Sequence, residues 1–451
     1  MCAVPERAAD SALARSAHTR AHRRPHRRPR FAALSYPAKV GAAPSHGDDG
    51  FLTRAEAWAL IGCQPLAQLS NQALLPSLGA MRADLDLSYA ELGLVVAAFG
   101  VARLCVDLPA GSLGSRWNPR SVLIIALAAS AMGSFGGVLA SNGWQMALIR
   151  FVIGIGSSVA QAMILAWIVG GSGRLARGRV LARSEALFSV SGLFIPALGG
   201  LLAGPLGWRV AFVLGALAAT AGLLAIALGT RPSSAARAVG LSSSSGSSGE
   251  TVTGDGWLDL RSGGSVLLVA YLATFIVFFC RNGMLNAVVP VLGVDRFKFQ
   301  PFEIGLLFSV LNAIGIGAVL FGGRAADRFG RHRTLLPALA LHALAQTLLI
   351  AVQNPVTYLA VGLFQGVACF VNPLPTIVMG DALAPRLRPR GIAVYRAVCD
   401  VAVLCAPASM GLALQAGGFT AAELLNFGTS AVILTAVALL YIRRSSDSGR
   451  A

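Results

Sequence analysis

Two pairs of opposite charges lie inside apolar stretches of this chain. Arg103 and Asp107 are four residues apart, and so are Arg396 and Asp400. On a helix this spacing puts both members of a pair on one face, where pairing offsets part of the unfavourable removal of charge from water. A buried carboxylate can load and unload a proton as its counter-charge approaches and retreats. Asp400 and Asp107 are therefore candidate proton carriers, with a static structural pair as the alternative, which is favoured for Asp107.

A further arginine opens another apolar stretch, in the segment Arg150-Phe-Val-Ile-Gly154-Ile-Gly156. Ionisable side chains inside apolar segments are functional candidates, because they are unfavourable in lipid. Arg150 can attract an anion or change the protonation of a nearby carboxylate. The alternative is a structural arginine that donates hydrogen bonds to backbone carbonyls, and the sequence does not separate the two interpretations.

Side-chain amides are concentrated in the first and seventh apolar stretches. A shift of 214 residues places Gln68 on Asn282 and Gln72 on Asn286, so both stretches present amides at a similar depth. Polar side chains of this kind avoid lipid and face a bundle interior or a water-filled cavity. Hydrogen bonds between helices are the alternative explanation. The predicted cavity residues are Gln64, Gln68, Asn71, Gln72, Arg281, Asn282 and Asn286.

Transmembrane helices must position these residues. The chain has 451 residues, of which 55% are hydrophobic and only 13% charged, whereas about a quarter of the residues of soluble domains are charged. Apolar stretches of about 20 residues cross a bilayer, and helices satisfy their own backbone there. The predicted spans are 56–79, 89–113, 120–141, 144–168, 179–203, 208–229, 265–292, 301–322, 334–352, 355–380, 390–415 and 421–442.

The twelve predicted spans form two halves that share landmarks in one register. Three glycines of the first half, Gly93, Gly111 and Gly154, are each followed 212 residues later by another: Gly305, Gly323 and Gly366. An internal repeat across two hydrophobic halves indicates a duplicated helical bundle.

A basic segment between the eighth and ninth spans is the most specific motif. It reads Gly323-Arg-Ala-Ala-Asp327-Arg328-Phe-Gly330-Arg331-His-Arg333, and a weaker copy with Arg116 lies between the second and third spans. The pattern resembles the cytoplasmic loop signature of the major facilitator superfamily of transporters, and the resemblance extends over residues 55–444. It implies an all-α membrane protein of twelve transmembrane helices in two pseudo-symmetric six-helix bundles, most like the drug/proton antiporter type.

The resemblance implies a conformational latch that engages when the cytoplasmic side closes. In the first half Ser115 and Asn118 replace the family's Asp and Gly, which weakens the latch there. A basic loop that only sets the topology is the alternative. The predicted latch residues are Gly323, Asp327, Arg328, Gly330, Arg331 and Arg116.

Two other segments resemble family motifs. The segment around Arg150 is similar to the motif associated with proton coupling. The fifth span contains Gly192-Leu-Phe-Ile-Pro196-Ala-Leu-Gly199-Gly200, which resembles an element typical of the family's antiporters, with Ile195 where that element has Gly. Proline and clustered glycines bend helices and allow close packing. We therefore predict a helix-bend motif at Gly192, Pro196, Gly199 and Gly200.

The distribution of arginine predicts the orientation and the domains. Arginines are concentrated in the short loops of one side, and the positive-inside rule places that side, both termini and the central linker in the cytoplasm. The expected membrane is the cell membrane, or an organelle membrane if the basic N-terminus is a transit peptide. The predicted parts are a disordered basic tail 1–54, a bundle 55–229, a Gly/Ser-rich linker 230–264, a bundle 265–444 and a tail 445–451.

The sequence favours transport over catalysis. It contains no phosphate-binding loop for ATP and no cysteine pair with metal-ligand spacing, so we expect no enzyme, metal or cofactor, with an ion gradient, first of all protons, as the energy source. The net charge of +17 reflects topology, so a bilayer and a small-molecule substrate are the expected partners of a monomer, and nucleic acid is not.

The expected activity is proton-coupled export of small organic or amphiphilic compounds by alternating access. One alternative is organic-anion uptake by symport or uniport, favoured by the excess of buried arginine over aspartate. A second alternative is a transporter-like receptor that binds a ligand without moving it.

Overall fold

Every regular element in the described chain is a helix. The computed structural model describes residues 52–107, 118–231, 264–383 and 387–448. Ten of its helices are long and apolar enough to cross a membrane, and the last of these, Gly391–Tyr441, contains two spans because the chain reverses at Gly417 and Gly418. An interrupted helix at 54–84 provides the remaining span. The described residues therefore contain twelve spans, as the sequence predicts, and residues 108–113 of the second predicted span lie outside them.

The first half contains α1 to α6. The first helix, α1, has four consecutive segments, Arg54–Leu66, Leu69–Leu74, Leu75–Ser77 and Leu78–Asp84. The others are α2 (Tyr89–Asp107), α3 (Pro119–Leu139), α4 (Gly143–Gly171), α5 (Arg174–Leu206) and α6 (Val210–Gly229).

The second half contains α7 to α12. Here α7 comprises Gly264–Cys280, Arg281–Val288 and Val289–Phe297, and α8 is Pro301–Phe329. The next helix, α9, comprises Arg331–Thr347 and Leu348–Ala351, and α10 comprises Pro355–Ala368, Cys369–Val371 and Leu374–Ala382. The last helical stretch, Arg388–Ser448, is divided at the reversal into α11 (388–416) and α12 (419–448). Helix α12 thus extends into the segment predicted as a C-terminal tail.

Polar caps determine where several helices begin. Thr53 and Glu56 form a capping box at the start of α1, in which each side chain bonds the backbone N–H of the other residue. The side chains of Asn142 and Asn354 accept from backbone N–H groups in the first turns of α4 and α10. Because the ends of a helix carry unpaired backbone groups, these caps fix the register in which each span starts.

The two helices that carry the predicted amides are both irregular in the interior of their spans. The first segment of α1 ends at Leu66 and the next begins at Leu69, with Gln68 at the junction. In α7 the segment Arg281–Val288 is a π-helix, a wider form that is frequent at functional sites. The two interruptions lie at corresponding places of the two halves and aim polar side chains at the bundle interior.

The bundle has two faces. We call them the distal face and the terminal face. The distal face contains six joints: α1–α2, α3–α4, α5–α6, α7–α8, α9–α10 and α11–α12. The terminal face contains the remaining joints and both ends of the described chain. Ion pairs connect joints of the distal face, Arg209 with Asp84 and Arg82 with Asp295. The sequence predicts that the terminal face is cytoplasmic.

Two pairs of helices form the most extensive contacts between the halves, α2 with α11 and α5 with α8. Gly93 of α2 and Gly411 of α11 lie so close that a Cβ atom on Gly93 would be 2.9 Å from the Cα atom of Gly411. A Cβ atom on Gly305 of α8 would be 2.4 Å from the carbonyl oxygen of Pro196 in α5. Small residues at these crossings let the backbones approach, as is usual in membrane bundles.

The basic segment predicted as a loop after residue 322 is helical, and that part of the prediction is wrong. Helix α8 continues to Phe329, because Ala and Arg are strong helix formers and long arginine side chains reach water from a helix end. Gly330, with a φ of 91° that other residues rarely adopt, separates α8 from α9. Three predicted latch residues are therefore on the last turns of α8: Gly323, Asp327 and Arg328.

Candidate functional site

A cavity of about 590 Å³ lies between the two halves of the bundle. The first half contributes residues from α1, α2, α4 and α5 to its wall, and the second half contributes residues from α7, α8, α10 and α11. This volume is within the range of about 300–1,000 Å³ that is usual for small-molecule sites. The cavity is therefore large enough for a drug-sized solute and is shared by both halves.

Six of the seven predicted cavity residues are in this wall. Gln64 is not: it lies on α1 toward the terminal face and accepts a hydrogen bond from the hydroxyl of Ser184 in α5. The six that line the cavity are Gln68, Asn71 and Gln72 of α1 and Arg281, Asn282 and Asn286 of α7.

Several of these amides have free hydrogen-bonding capacity. Within the described chain, Gln68 Nε2 and Gln72 Oε1 are buried without a hydrogen-bond partner. On α7, Asn286 donates to Asn282 Oδ1 at 3.3 Å, and Asn282 donates to the carbonyl of Phe278 at 2.8 Å. Buried polar atoms normally have partners, so unpaired amides beside a cavity are suited to bind a polar solute.

Arg150 of α4 also lines the cavity and is only 3% exposed. Its guanidinium carbon lies 5.2 Å from the ring centroid of Phe99 in α2. It has no hydrogen bond or ion pair with any residue that the structure describes, and its Nε atom is buried without a partner. The predicted alternative, a structural arginine that donates to backbone carbonyls, is therefore not what the structure shows.

The buried charges pair between halves instead of along their own helices. Arg103 Nε of α2 donates to Asp400 Oδ1 of α11 at 3.1 Å, and the Asp400 side chain is 1% exposed. Among the described residues, neither Arg103 with Asp107 nor Arg396 with Asp400 forms an ion pair. The expectation of two pairs within helices is thus corrected, because the crossing of α2 and α11 brings opposite charges of different halves closer together.

Asp400 retains one oxygen for further chemistry. Its Oδ2 atom is buried and has no partner among the described residues, whereas Oδ1 is held by Arg103. Asp107 lies close enough to Asp400 to interact with it electrostatically, and Arg396 is exposed. The site thus has two carboxylates near one arginine, and Asp400 is the more deeply buried of them.

Other polar residues of the wall are absent from the sequence predictions. They are Glu185 and Ser189 of α5, Asn312 of α8 and Asn372 of α10. Asn312 donates to the carbonyl of Gly192 at 3.1 Å and so joins α8 to α5. The sequence contained a signal for Glu185, Asn312 and Asn372, because each is a charged or amide side chain inside a predicted span. Glu423 of α12 carries the same signal, is buried, and lies outside the cavity wall.

The distal side of the cavity is closed by contacts between the halves. Arg82 Nη2 contacts both carboxylate oxygens of Asp295 at 3.1 Å, and the hydroxyl of Tyr89 donates to the same carboxylate at 2.8 Å. The guanidinium of Arg82 lies 4.6 Å from the ring centroid of Tyr89, whose backbone N–H donates to Gln415. Arg82 and Tyr89 belong to the first half, and Asp295 and Gln415 to the second.

A second ion pair stabilises the distal end of the first half. The indole of Trp208 and the guanidinium of Arg209 both donate to Asp84 Oδ2, at 3.0 and 2.7 Å. These hydrogen bonds, first that of Trp208, lower the pKa of the Asp84 carboxyl below its usual value. The carboxylate therefore stays ionised at neutral pH, and the α1 end is held to the joint of α5 and α6.

The cavity opens toward the terminal face between α5 and α8. Contacts between these helices extend from the distal face as far as Gly192 and Asn312. Beyond them, residues 185–187 of α5 and residues 316–317 of α8 are exposed, and a Cβ atom on Gly317 would have no neighbour within 4 Å. The described residues thus enclose a cavity that is closed on one side and accessible from the other.

Among the described residues, the predicted latch residues form no ion pair between the two halves. Arg331 at the start of α9 pairs with Asp381 at the end of α10. Asp327 and Arg328 are exposed, and neither forms an ion pair with a described residue. Arg116 is outside the described residues.

The predicted helix-bend motif packs differently along its length. Helix α5 continues through Pro196. Gly199 lies against Ala73 of α1 and Gly200 against Pro301 of α8, in both cases closer than a Cβ atom would permit. Gly192, in contrast, has open space where its Cβ would be. Only the distal half of the motif therefore mediates close packing.

A membrane bundle of two halves around a shared cavity, accessible from one side, defines a class of solute transporter rather than an enzyme. The chain belongs to the Major Facilitator Superfamily, because the model of that family matches residues 60–324 and 297–451. The family membership and the twelve-helix fold that the sequence predicts are thereby confirmed.

Relatives and solved structures agree with this family. The chain is 26% identical over 167 residues to an uncharacterized MFS-type transporter of Mycobacterium tuberculosis, covering 37% of this chain and 29% of the relative. It is 26% identical over 120 residues to the multidrug resistance protein MdtG of Salmonella arizonae, covering 27% of this chain and 30% of the relative. The matched segment thus spans less than a third of either relative.

Solved structures match over most of the chain. A bacterial homologue of the human lysosomal transporter Spinster has a TM-score of 0.71 at 15% identity, over 86% of this chain and 96% of that one. A D-xylose-proton symporter has a TM-score of 0.65 at 14% identity, over 85% and 97%. At these identities the similarity shows the fold alone.

Proposed function

We propose that this protein exports small organic or amphiphilic compounds in exchange for protons, by alternating access to its central cavity. The observation that carries the proposal is the ion pair between Arg103 and Asp400, which joins the two halves beside the cavity. The cavity supplies the binding site, and this pair supplies a group that can link proton binding to the orientation of the halves.

The link between proton and conformation follows from the position of the pair. Arg103 and Asp400 belong to different halves, so any rocking of the halves changes their separation. A buried carboxylate that loses its counter-charge is strongly destabilised, and protonation removes that charge. Asp400 therefore binds a proton when the halves rearrange and releases it when Arg103 returns. Asp107 provides a nearby acceptor toward the terminal end of α2.

Two observations support export. The MdtG relative is named as a multidrug resistance protein. The α5 segment that contains Pro196, Gly199 and Gly200 resembles an antiporter element and packs tightly against α1 and α8. For export the terminal face is cytoplasmic, so this arrangement is the one that loads substrate from inside the cell.

A growth screen and a vesicle assay together test the proposal. Expression in a bacterial strain that lacks its main exporters should raise resistance to at least one compound of a toxic panel. Everted vesicles that are acid inside should then accumulate this compound, and its addition should partly dissipate the pH gradient. Asp400→Asn should abolish accumulation and keep exchange of labelled for unlabelled compound.

Two results would count against the proposal. Accumulation that is independent of the pH gradient would exclude proton coupling. Binding without any counterflow would favour a receptor instead of a transporter. Uptake of an organic anion is the second candidate function, because two arginines of the cavity wall have no acidic partner among the described residues; accumulation with a reversed gradient would indicate it.

A further inference from the structure

We infer that the cavity binds amphiphilic organic anions, with Arg150 and Arg281 as the residues that receive the anionic group. The inference rests on the proposed function only in that the bound anion is taken as the transported solute. It concerns the charge of the ligand and is independent of the direction of transport and of proton coupling.

The structure distinguishes among four arginines of the predicted spans, namely Arg103, Arg150, Arg281 and Arg396. Arg103 lines the cavity, but its charge is compensated by Asp400. Arg396 is exposed and is not part of the wall. Arg150 and Arg281 both line the cavity, and neither has an ion pair with a described residue. Two uncompensated positive charges thus face one space.

Arg150 provides the stronger argument, because it is almost entirely buried. A guanidinium has five N–H donors and stays ionised in proteins, so burial without acceptors is very unfavourable. Among the described residues its charged group has no hydrogen bond or ion pair, its Nε atom is buried without an acceptor, and its cation–π contact is with the ring of Phe99. An anionic ligand in the cavity would supply both the missing charge and the missing acceptors.

Arg281 is more accessible and lies at the start of the π-helical segment of α7. The amides of Asn282 and Asn286 follow on the same segment, and Gln68 and Gln72 face the cavity from α1. Amide N–H groups assist arginine in binding a carboxylate or sulfonate. The two halves thus place one arginine and several amides each around the same cavity.

One acidic residue limits this positive character. Glu185 of α5 is the single carboxylate among the described wall residues. It lies on the exposed stretch of α5 toward the terminal face, where the cavity opens. Since a charge at the mouth influences a bound anion through a solvated space, its effect on affinity is smaller than that of Arg150 or Arg281 and opposite in sign.

The rest of the wall requires that the anion carry an apolar body. Aromatic and aliphatic side chains of both halves complete the cavity: Phe99, Phe188, Phe278, Leu285, Phe308 and Leu311. Small-molecule sites combine such apolar surface with a few polar groups that fix the orientation. An inorganic anion would leave the apolar surface unused, so an aromatic or alkyl acid fits better.

Three probes with the same ring system and different charge test the inference. They are 1-naphthoate (anion), 1-naphthamide (neutral) and 1-naphthylmethylammonium (cation). Apparent dissociation constants are obtained from the concentration dependence of the thermal unfolding midpoint of the full chain in detergent. We expect 1-naphthoate to bind at least about tenfold more tightly than the other two, because only its carboxylate carries the negative charge that Arg150 and Arg281 lack.

Variants then show which side chains provide the preference for the anionic probe. Arg281→Gln should weaken 1-naphthoate binding about tenfold and leave 1-naphthamide unchanged. Glu185→Gln, the matched control of opposite charge, should strengthen 1-naphthoate binding by a smaller factor. Arg150→Lys keeps the charge and should retain the preference for the anion, whereas Arg150→Gln should lose it. If Arg150→Gln does not fold, Arg281→Gln still decides.

Two outcomes would overturn the inference. One is equal or tighter binding of the cation or the neutral probe to the wild-type chain. The other is 1-naphthoate binding that Arg281→Gln leaves unchanged. Both measurements need no gradient, so loss of proton coupling in vesicles would contradict the proposed function and leave this inference standing.

Discussion

The carbonyl oxygen of Pro407 lies 2.6 Å from the position that a Cβ atom of Gly93 would occupy. The carbonyl oxygen of Pro196 has the same relation to Gly305 in the other pair of helices. In each case a proline carbonyl of one half contacts the first glycine of a helix in the other half. The two glycines are 212 residues apart in the sequence. Two corresponding contacts thus bring the halves together near the distal face, in addition to the ion pair of Arg82 with Asp295.

Gly305→Ala should therefore shift the protein away from the distal-closed state. The added methyl overlaps the Pro196 carbonyl, and such overpacking costs about 1–3 kcal/mol. Spin labels at the exposed positions Ala83 and Ala416, one in each half, should report a longer distance in the variant. Gly317→Ala on the same helix is the matched control, because it has open space around it. Equal distances in both variants would contradict the packing role of Gly305.

The ion pair of Arg103 with Asp400 should couple energetically. Arg103→Gln and Asp400→Asn should each lower the thermal unfolding midpoint. The decrease should be larger for Arg103→Gln, because it leaves a buried carboxylate without its counter-charge. The loss should be near the lower end of about 3–5 kcal/mol, since Arg103 is 28% exposed. The double variant should be less destabilised than the sum of the single ones. Strict additivity would show that the two side chains act independently.

The distal ion pair should control access from the opposite side. Asp295→Asn removes the charge that holds Arg82 and leaves one acceptor oxygen in place of the two that Arg82 and the Tyr89 hydroxyl share. We expect a larger population with a long distance between the labels at Ala83 and Ala416, and faster release of bound substrate. Asp84→Asn is the comparator, because it breaks an ion pair within one half only. A shift of similar size in that variant would show that general loosening, not the junction of the halves, is responsible.

Asp327→Asn should reduce transport without reducing the amount of protein in the membrane. Asp327 lies on the last turn of α8 and has no ion-pair partner among the described residues in this arrangement, so its role belongs to the state with a closed terminal face. Asp381→Asn, which removes the partner of Arg331 seen here, should instead favour closure. Unchanged turnover and unchanged labelling of cysteines at the terminal face in Asp327→Asn would exclude a latch.

The orientation can be measured directly. Epitope tags in the linker 240–250 and after Arg388 should be accessible only from the cytoplasm, and a tag near Gly417 only from outside. The reason is the concentration of arginine in the loops of the terminal face. Protease protection in intact cells and in everted vesicles provides the readout. A linker accessible from the exterior would reverse the orientation and the proposed direction of export.

Much of the architecture could be predicted because membrane spans are encoded locally. The length of an apolar stretch, about 20 residues, is a property of the segment itself, and the repeat of Gly93 and Gly305 defines the two halves. Amides within α1 and α7 are unfavourable in lipid, so their direction toward an interior follows from their composition. Gln64 shows the limit, because its spacing matches Gln68 but its partner is a serine of α5.

Only the tertiary structure decided which charges pair. The sequence placed Arg103 beside Asp107 and Arg396 beside Asp400, since helical periodicity describes neighbours on one helix alone. Packing instead joins Arg103 to Asp400, 297 residues away, and leaves Arg150 without an acidic partner among the described residues. Partners of this kind depend on how closely two helices cross and at what depth, and the glycines that permit such crossings act on backbones far apart in the chain.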